Sequence, residues 1–169
     1  DLEVPADAEI VLEGHIPPHY REDEGPFSEF QDYYVTGTGK NPIVEYQFMS
    51  RRRDAIFKNL QNGSEMEGCV FHKVPMSATI YRRLKDVGGG MNLHNVAIMP
   101  GVFGVVVQMT PRFYGEAKNV LMAALSSEYH HPKIAIAVDA DVDIFNHSEL
   151  LWALTTRVNP QHDVVVIPG

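Results

Sequence analysis

Two glutamates five positions apart, Glu24 and Glu29, are the residues of this sequence best suited to acid–base chemistry. Gly25-Pro26 lies between them and predicts a turn, because proline fixes its own φ and glycine accepts conformations that other residues avoid. A turn can direct both carboxylates into one pocket, whereas a straight helix or strand would not at this spacing. Two close carboxylates can then take different roles, one staying charged while the other holds a proton. The alternative is an acidic surface loop, because residues 22–24 are all acidic.

A second group of carboxylates follows an apolar segment near the C-terminal end. Asp139, Asp141 and Asp143 begin like a calcium-binding loop. Calcium is disfavoured, because Ile144 and Leu150 stand where that loop needs glycine and a bidentate glutamate. Carboxylates at the end of a buried strand often lie at a ligand crevice. The segment therefore predicts either a positioning role or ordinary capping and loop hydrogen bonds.

The sequence lacks several other motifs that carry chemistry. Its eight histidines form no H-E-x-x-H pattern, and the single Cys69 excludes a C-x-x-C motif. Gly88-Gly89-Gly90 is not a dinucleotide fingerprint and is predicted to end a helix. The missing G-x-S-x-G elbow disfavours an α/β hydrolase.

Composition narrows the class of protein further. A formal net charge of −8 argues against a nucleic-acid partner or an anionic membrane surface. The sequence has no run of 18 or more apolar residues, so we expect no membrane span. A single cysteine fits a reducing compartment, and we expect a cytoplasmic protein. The length gives room for one domain or for pieces of two.

Hydrophobic periodicity divides the chain into two regions. The first has β character, with polar and apolar side chains alternating over 8–16 and 43–49. In the second, helical patterns alternate with short apolar segments, which is typical of an α/β layered domain. Its clearest predicted elements are a helix over 75–87, a doubly buried strand over 134–138, a helix to about 157 that Asn146 or Ser148 caps, and a strand over 163–167.

Three segments together resemble the UbiD family of reversible decarboxylases. The first, residues 2–14, leads into the second, Glu24-Gly25-Pro26-Phe27-Ser28-Glu29-Phe30, which is similar to that family's EGPFGE loop. The third, residues 138–157, contains a VD-x-DID-like segment and an LWAL-x-TR-like helix. Ser28 stands where the family commonly has glycine.

The resemblance implies an α/β fold (α+β overall): the end of a split β-barrel flavin-binding domain, then an α/β layered domain. We therefore assign residues 1–62 to the C-terminal part of the split-barrel cofactor-binding domain. Residues 63–74 are predicted to be a linker, and 75–169 the α/β domain.

The resemblance also implies a carboxy-lyase acting on aromatic or α,β-unsaturated carboxylic acids. The family's two catalytic glutamates match Glu24 and Glu29. We predict that Glu29 donates the proton after CO2 leaves and that Glu24 is its charge partner. The implied cofactor is prenylated FMN, with a divalent metal, manganese, and potassium at its phosphate. Lys133 is predicted to reach that phosphate.

The family's catalytic arginine and metal ligands lie upstream of the residues matched here. We therefore expect an N-terminal half or a partner subunit, self-association, and no activity from the isolated 169 residues. The alternative is a non-catalytic assembly or interaction module, or a subunit of a split enzyme. The two hypotheses differ in whether Glu24 and Glu29 face a shared cavity or open solvent.

Overall fold

The structure is a computed structural model that describes residues 2–35, 37–87 and 91–168. The chain forms two compact units, Asp1–Ser64 and Glu65–Gly169. The predicted role of residues 88–90 in ending a helix lies outside the described residues. None of the described helices is long and apolar enough to cross a membrane.

Unit 1, Asp1–Ser64, is built from two antiparallel β-ribbons. The first ribbon pairs β1 with β4 and carries a β-bulge between Glu13 and Gly14. Gly14 is required there, because a Cβ would collide with the carbonyl oxygen of Glu45. The second ribbon pairs β2 with β3. The strands are β1 Ile10–His15, β2 Arg21–Glu24, β3 Gly39–Pro42 and β4 Glu45–Arg51.

The predicted strands of unit 1 exist, but the predicted half-burial does not. Leu12 on β1 is 50% exposed and Phe48 on β4 is 68% exposed. None of the described residues of unit 1 belongs to the buried class. The alternation therefore predicted the strands and was wrong about a covered face within this unit.

Unit 2, Glu65–Gly169, contains a three-stranded mixed sheet with the order β5-β6-β7. β5 and β6 are antiparallel and β7 is parallel to β6. A 3₁₀ turn, Pro100–Val102, joins β5 to β6. The elements are α1 Gly68–Val87, β5 Asn92–Ile98, β6 Gly104–Thr110, α2 Glu116–Leu125, β7 Ile134–Val138, α3 His147–Arg157 and α4 Pro160–Asp163.

Helices cover the sheet of unit 2 and enclose a core. α1 contacts β5, and α2 contacts β7. The α1 side chains of Ile80 and Leu84 are fully buried, as is Val105 of β6. Val106, the next residue of β6 after Val105, points to the opposite face of the sheet. It packs in a cluster with Leu150 of α3. This arrangement confirms the predicted α/β layered fold.

The first helix of unit 2 is longer than predicted. α1 begins at Gly68 and contains Pro75 in its interior. Residues 68–74, predicted as linker, are thus helical. The predicted start at Pro75 came from the apolar stripe of Met76, Ile80 and Leu84, which begins just after this proline. The buried side chain of Cys69 shows that the chain before Pro75 already packs into the core.

The last two predicted strands also differ from the structure. β7 has the predicted bounds but lies at a sheet edge, with Ile134 57% exposed, so it is not buried on both faces. The prediction of a strand over 163–167 was wrong. Asp163 ends α4, and residues 164–168 form no strand. An apolar run specifies a strand only where a pairing edge is available.

Candidate acid–base site

Glu24 and Glu29 line one cavity in unit 1. Glu24 ends β2, and Glu29 lies in the loop that follows. Glu24 is exposed, whereas Glu29 is partly buried. The cavity has a volume of about 140 Å³ and is lined by Glu24, Gly25, Phe27, Glu29, Gly37, Gly39 and Asn41. The two carboxylates therefore line a common cavity.

Local backbone chemistry shapes the loop between the two glutamates. Gly25 has φ +91°, a value that favours glycine, and the Gly25-Pro26 peptide bond is cis. Beyond Glu29 the chain turns back, because the amide of Asp32 donates to the Glu29 carbonyl oxygen at 3.0 Å. Asn62 Nδ2 donates to the Ser28 carbonyl oxygen at 2.9 Å. These bonds fix the backbone that carries Glu29.

The Glu24 carboxylate has a specific side-chain partner. Asn41 Nδ2 donates a hydrogen bond to Glu24 Oε2. The ladder places Glu24 opposite Gly39 and Asn41 opposite Glu22. Gly39 has no side chain, so the space opposite Glu24 stays open. Sequence analysis missed Asn41, because the register of β2 and β3 was not predicted.

Other charged groups lie on the same ribbon. Lys40 Nζ pairs with Asp23 at 2.7 Å, and both side chains are largely exposed. Tyr20 Oη donates to Glu22 Oε1 at 2.6 Å. That bond, with the charge of Glu22, raises the pKa of Tyr20. Glu24 thus lies in an acidic neighbourhood.

The aspartates of unit 2 act in ion pairing and loop hydrogen bonds. Arg157 donates to both carboxylate oxygens of Asp141, at 2.9 and 2.7 Å. The pair lowers the pKa of Asp141 and raises that of Arg157. Asp139 lies 3.8 Å from the same guanidinium. Asp143 Oδ1 accepts from the Phe145 amide at 2.9 Å. These contacts favour the capping and loop interpretation over a calcium loop.

The remaining candidates of unit 2 have other neighbours. Lys133 Nζ lies 4.6 Å from the Phe103 ring centroid in an exposed position, so contact with a phosphate stays a prediction. Within residues 2–35, 37–87 and 91–168, no three or more His, Cys, Asp or Glu side chains are placed to hold a metal ion. A cavity of about 190 Å³ contains no predicted site residue and is lined by Thr79, Arg82, Arg83, Asp86 and Glu128.

The structure therefore combines two kinds of unit. Unit 1 is a pair of β-ribbons with a carboxylate pair on a glycine-rich cavity, and unit 2 is an α/β layered domain. The family profile of the 3-octaprenyl-4-hydroxybenzoate carboxy-lyase Rift-related domain matches residues 1–65. The profile of that enzyme's C-terminal domain matches residues 69–169. The chain belongs to the UbiD family, which confirms the resemblance that its motifs suggested.

Individual relatives agree with this assignment. The phenolic acid decarboxylase of Bacillus subtilis is 37% identical over 99% of this chain and 36% of its own length. The 3,4-dihydroxybenzoic acid decarboxylase of Klebsiella pneumoniae has a TM-score of 0.87 at 30% identity, over 97% of this chain and 36% of that chain. An evolved dimeric form of HmfF from Pelotomaculum thermopropionicum, in complex with prFMN, has a TM-score of 0.80 at 32% identity, over 98% and 38%. The chain thus spans just over a third of the length of these relatives.

Proposed function

We propose that this chain supplies the acid–base pair of a UbiD-type decarboxylase site for aromatic or α,β-unsaturated carboxylic acids. The observation that carries the proposal is the cavity that Glu24 and Glu29 share in unit 1. Phenolic acids are the first substrates to test, because the Bacillus subtilis and Klebsiella pneumoniae relatives are decarboxylases of such acids.

The two glutamates have different roles in this proposal. When CO2 leaves, the electron pair of the broken carbon–carbon bond stays on the substrate carbon. That carbon must then gain a proton. Glu29 donates that proton and becomes a carboxylate. Its partial burial supports this role, because a donor shielded from bulk water competes better with solvent. Glu24, exposed and hydrogen-bonded by Asn41, is the charge partner.

A prenylated flavin would supply the electron sink for this chemistry. Cofactor pockets in proteins commonly measure roughly 300–1,000 Å³, so a cavity of about 140 Å³ fits one wall of such a site rather than the whole. Gly25, Gly37 and Gly39 line this wall and present backbone without side chains, which suits close approach of a flat ring. The ligands for manganese and potassium are proposed to come from residues outside this chain.

The proposed site is completed by another polypeptide segment. We propose that an N-terminal half or a partner subunit supplies the catalytic arginine and the metal ligands. Self-association is also proposed, and the dimeric form of the HmfF relative supports it. Under this proposal the isolated 169 residues neither hold the flavin nor turn over substrate.

The test is mutagenesis of the natural polypeptide that contains these residues, loaded with prenylated FMN. Glu29→Gln should lower kcat for 3,4-dihydroxybenzoic acid by about 10²–10⁴-fold, the usual contribution of a positioned acid or base. CO2 release and the phenolic product are measured by gas analysis and chromatography. Glu24→Gln should also lower kcat.

The matched control is Glu13→Gln, which neutralises an exposed glutamate of β1 that does not line the cavity. It should leave kcat within about twofold, as expected for an exposed side chain with no catalytic contact. Equal losses in all three variants would contradict a specific role for the pair. A loaded wild-type protein that converts no aromatic or unsaturated acid would favour the non-catalytic module.

A further inference from the structure

The register of the β2–β3 ribbon brings one amide side chain to the proposed acid–base pair. Asn41 pairs with Glu22 across the ladder, and Glu24 pairs with Gly39. Side chains two positions apart on a strand share a face, so Asn41 and Glu24 are diagonal neighbours. Asn41 Nδ2 donates to Glu24 Oε2.

Asn41 is chemically distinct among the residues that line the cavity. The described lining consists of two glutamates, three glycines, Phe27 and Asn41. Of these side chains, only that of Asn41 carries an N–H donor. The nearby cation Lys40 is engaged with Asp23 at 2.7 Å and does not line the cavity.

We propose that Asn41 is a positioning residue of this site. Its amide donates to the Glu24 carboxylate and holds it in a fixed orientation at the cavity that Glu29 also lines. This inference rests on the proposed function. A neutral donor suits the task, because it orients a carboxylate and favours its charged form without cancelling the charge. A lysine or arginine at the same position would neutralise Glu24.

Other acidic side chains lie close to Glu24. Glu22 lies two positions before Glu24 on β2, with Tyr20 Oη on its Oε1 at 2.6 Å. Glu29 lines the same cavity. The neighbouring ion pair is Lys40–Asp23 at 2.7 Å. Like charges disfavour ionisation of a carboxylate, and the amide hydrogen bond opposes that effect.

The experiment compares Asn41→Ala and the isosteric Asn41→Asp with the wild type, in the natural polypeptide loaded with prenylated FMN. Asn41→Ala should lower kcat about tenfold with KM within twofold, and should move the acid limb of the kcat profile up by about one pH unit. Asn41→Asp keeps the shape of the side chain but replaces the donor with a negative charge. Its kcat should therefore fall further than that of Asn41→Ala. A purely structural role of Asn41 would leave the acid limb of the kcat profile in place.

A second readout does not depend on turnover. Carbon-13 NMR of the labelled glutamate carboxyls, with the Glu24 signal assigned by its loss in Glu24→Gln, should show a higher Glu24 titration midpoint in Asn41→Ala than in the wild type. The matched control is Lys40→Arg, on the same strand and outside the cavity, which keeps the positive charge beside Asp23 and should leave kcat and the midpoint nearly unchanged.

The outcomes separate this inference from the proposed function. Unchanged kcat, acid limb and Glu24 midpoint in both Asn41 variants overturn the role of Asn41. A change in KM alone overturns it too, because Asn41 would then bind substrate. A wild type without turnover defeats the proposed function, and a shifted midpoint would still show that Asn41 controls the charge of Glu24.

Discussion

The two units of the molecule are stabilised in different ways. In unit 2, side chains such as Ile80 and Leu84 are completely withdrawn from water, and helices lie against a mixed sheet. In unit 1, no described residue is buried. Its ribbons are held by backbone ladders and by exposed polar contacts such as Lys40–Asp23. Exposed ion pairs contribute little to stability.

The buried core and the proposed acid–base site therefore lie in different units. The carboxylate pair and Asn41 lie in the unit without a core, whereas the unit with a core has mainly structural polar contacts. Segments with few buried apolar contacts open most readily. The geometry of the cavity in unit 1 therefore depends on backbone hydrogen bonds and on the flavin and polypeptide segment that are proposed to bind there.

The largest expected effect comes from separating the units. A fragment of residues 65–169 should unfold cooperatively in urea, because it contains the buried core. A fragment of residues 1–64 should show no cooperative transition and no slowly exchanging amides, because it buries too little apolar surface. Circular dichroism and hydrogen exchange on each fragment measure this. A cooperatively folded 1–64 fragment would contradict the comparison.

Matched isoleucine substitutions should show the next largest effect. Ile80 is 0% exposed on α1, and Ile56 in unit 1 is 74% exposed. Ile80→Ala should lower the free energy of unfolding by about 2–5 kcal/mol, through lost burial and a cavity. Ile56→Ala should change it by less than about 0.5 kcal/mol. Urea denaturation of the chain measures both, and equal losses would show that unit 1 is packed after all.

The sequence predicted most of the fold of unit 2, because its patterns are local. Strand β7 and the α3 N-cap at Asn146 agree with the sequence-based prediction. Asn146 Oδ1 accepts from the amides of Ser148 and Glu149, as a capping side chain does. The segment over 163–167 failed, because its strand would need a pairing edge that local composition cannot specify.

The site was predictable only in part. The turn at Gly25-Pro26 correctly indicated that Glu24 and Glu29 could approach one cavity. Asn41 could not be found from spacing alone, because it reaches Glu24 through a ladder whose strands are separated by a long loop. Arg157 was missed as the partner of Asp141 for the same reason, since the pair depends on tertiary packing.

Glu116 should make the stability of unit 2 depend on pH. It is 2% exposed and accepts from Arg112 Nε at 2.7 Å and from the Arg112 amide at 2.6 Å. These bonds lower the pKa of Glu116 below its ordinary value of 4.5. A lowered folded-state pKa means that the stabilisation is present above pH 4.5 and is lost as the pH falls through the folded value.

The measurement is the urea midpoint of the wild type and of Glu116→Gln between pH 7 and pH 3. The wild type should be more stable at pH 7, and the difference should shrink below pH 4.5. Glu128→Gln removes an exposed carboxylate of the same unit and serves as the control. A difference between wild type and Glu116→Gln that stays constant with pH would show that packing, not charge, is lost.

The smallest effect is expected at the ion pair that ends α3. Arg157 makes two bonds to Asp141 and lies 4.9 Å from the Trp152 ring centroid, but the Asp141 side chain is 61% exposed. Water screens such a pair, so Asp141→Asn should shift the urea midpoint less than Glu116→Gln does. The lowered pKa of Asp141 makes the shift largest above its ordinary value of 3.8, and the shift should be lost as the pH falls below it. The shift should also weaken in 1 M salt, because exposed charges are screened. A salt-independent loss as large as that of Glu116→Gln would mean that Asp141 anchors the loop before α3 as firmly as a buried carboxylate.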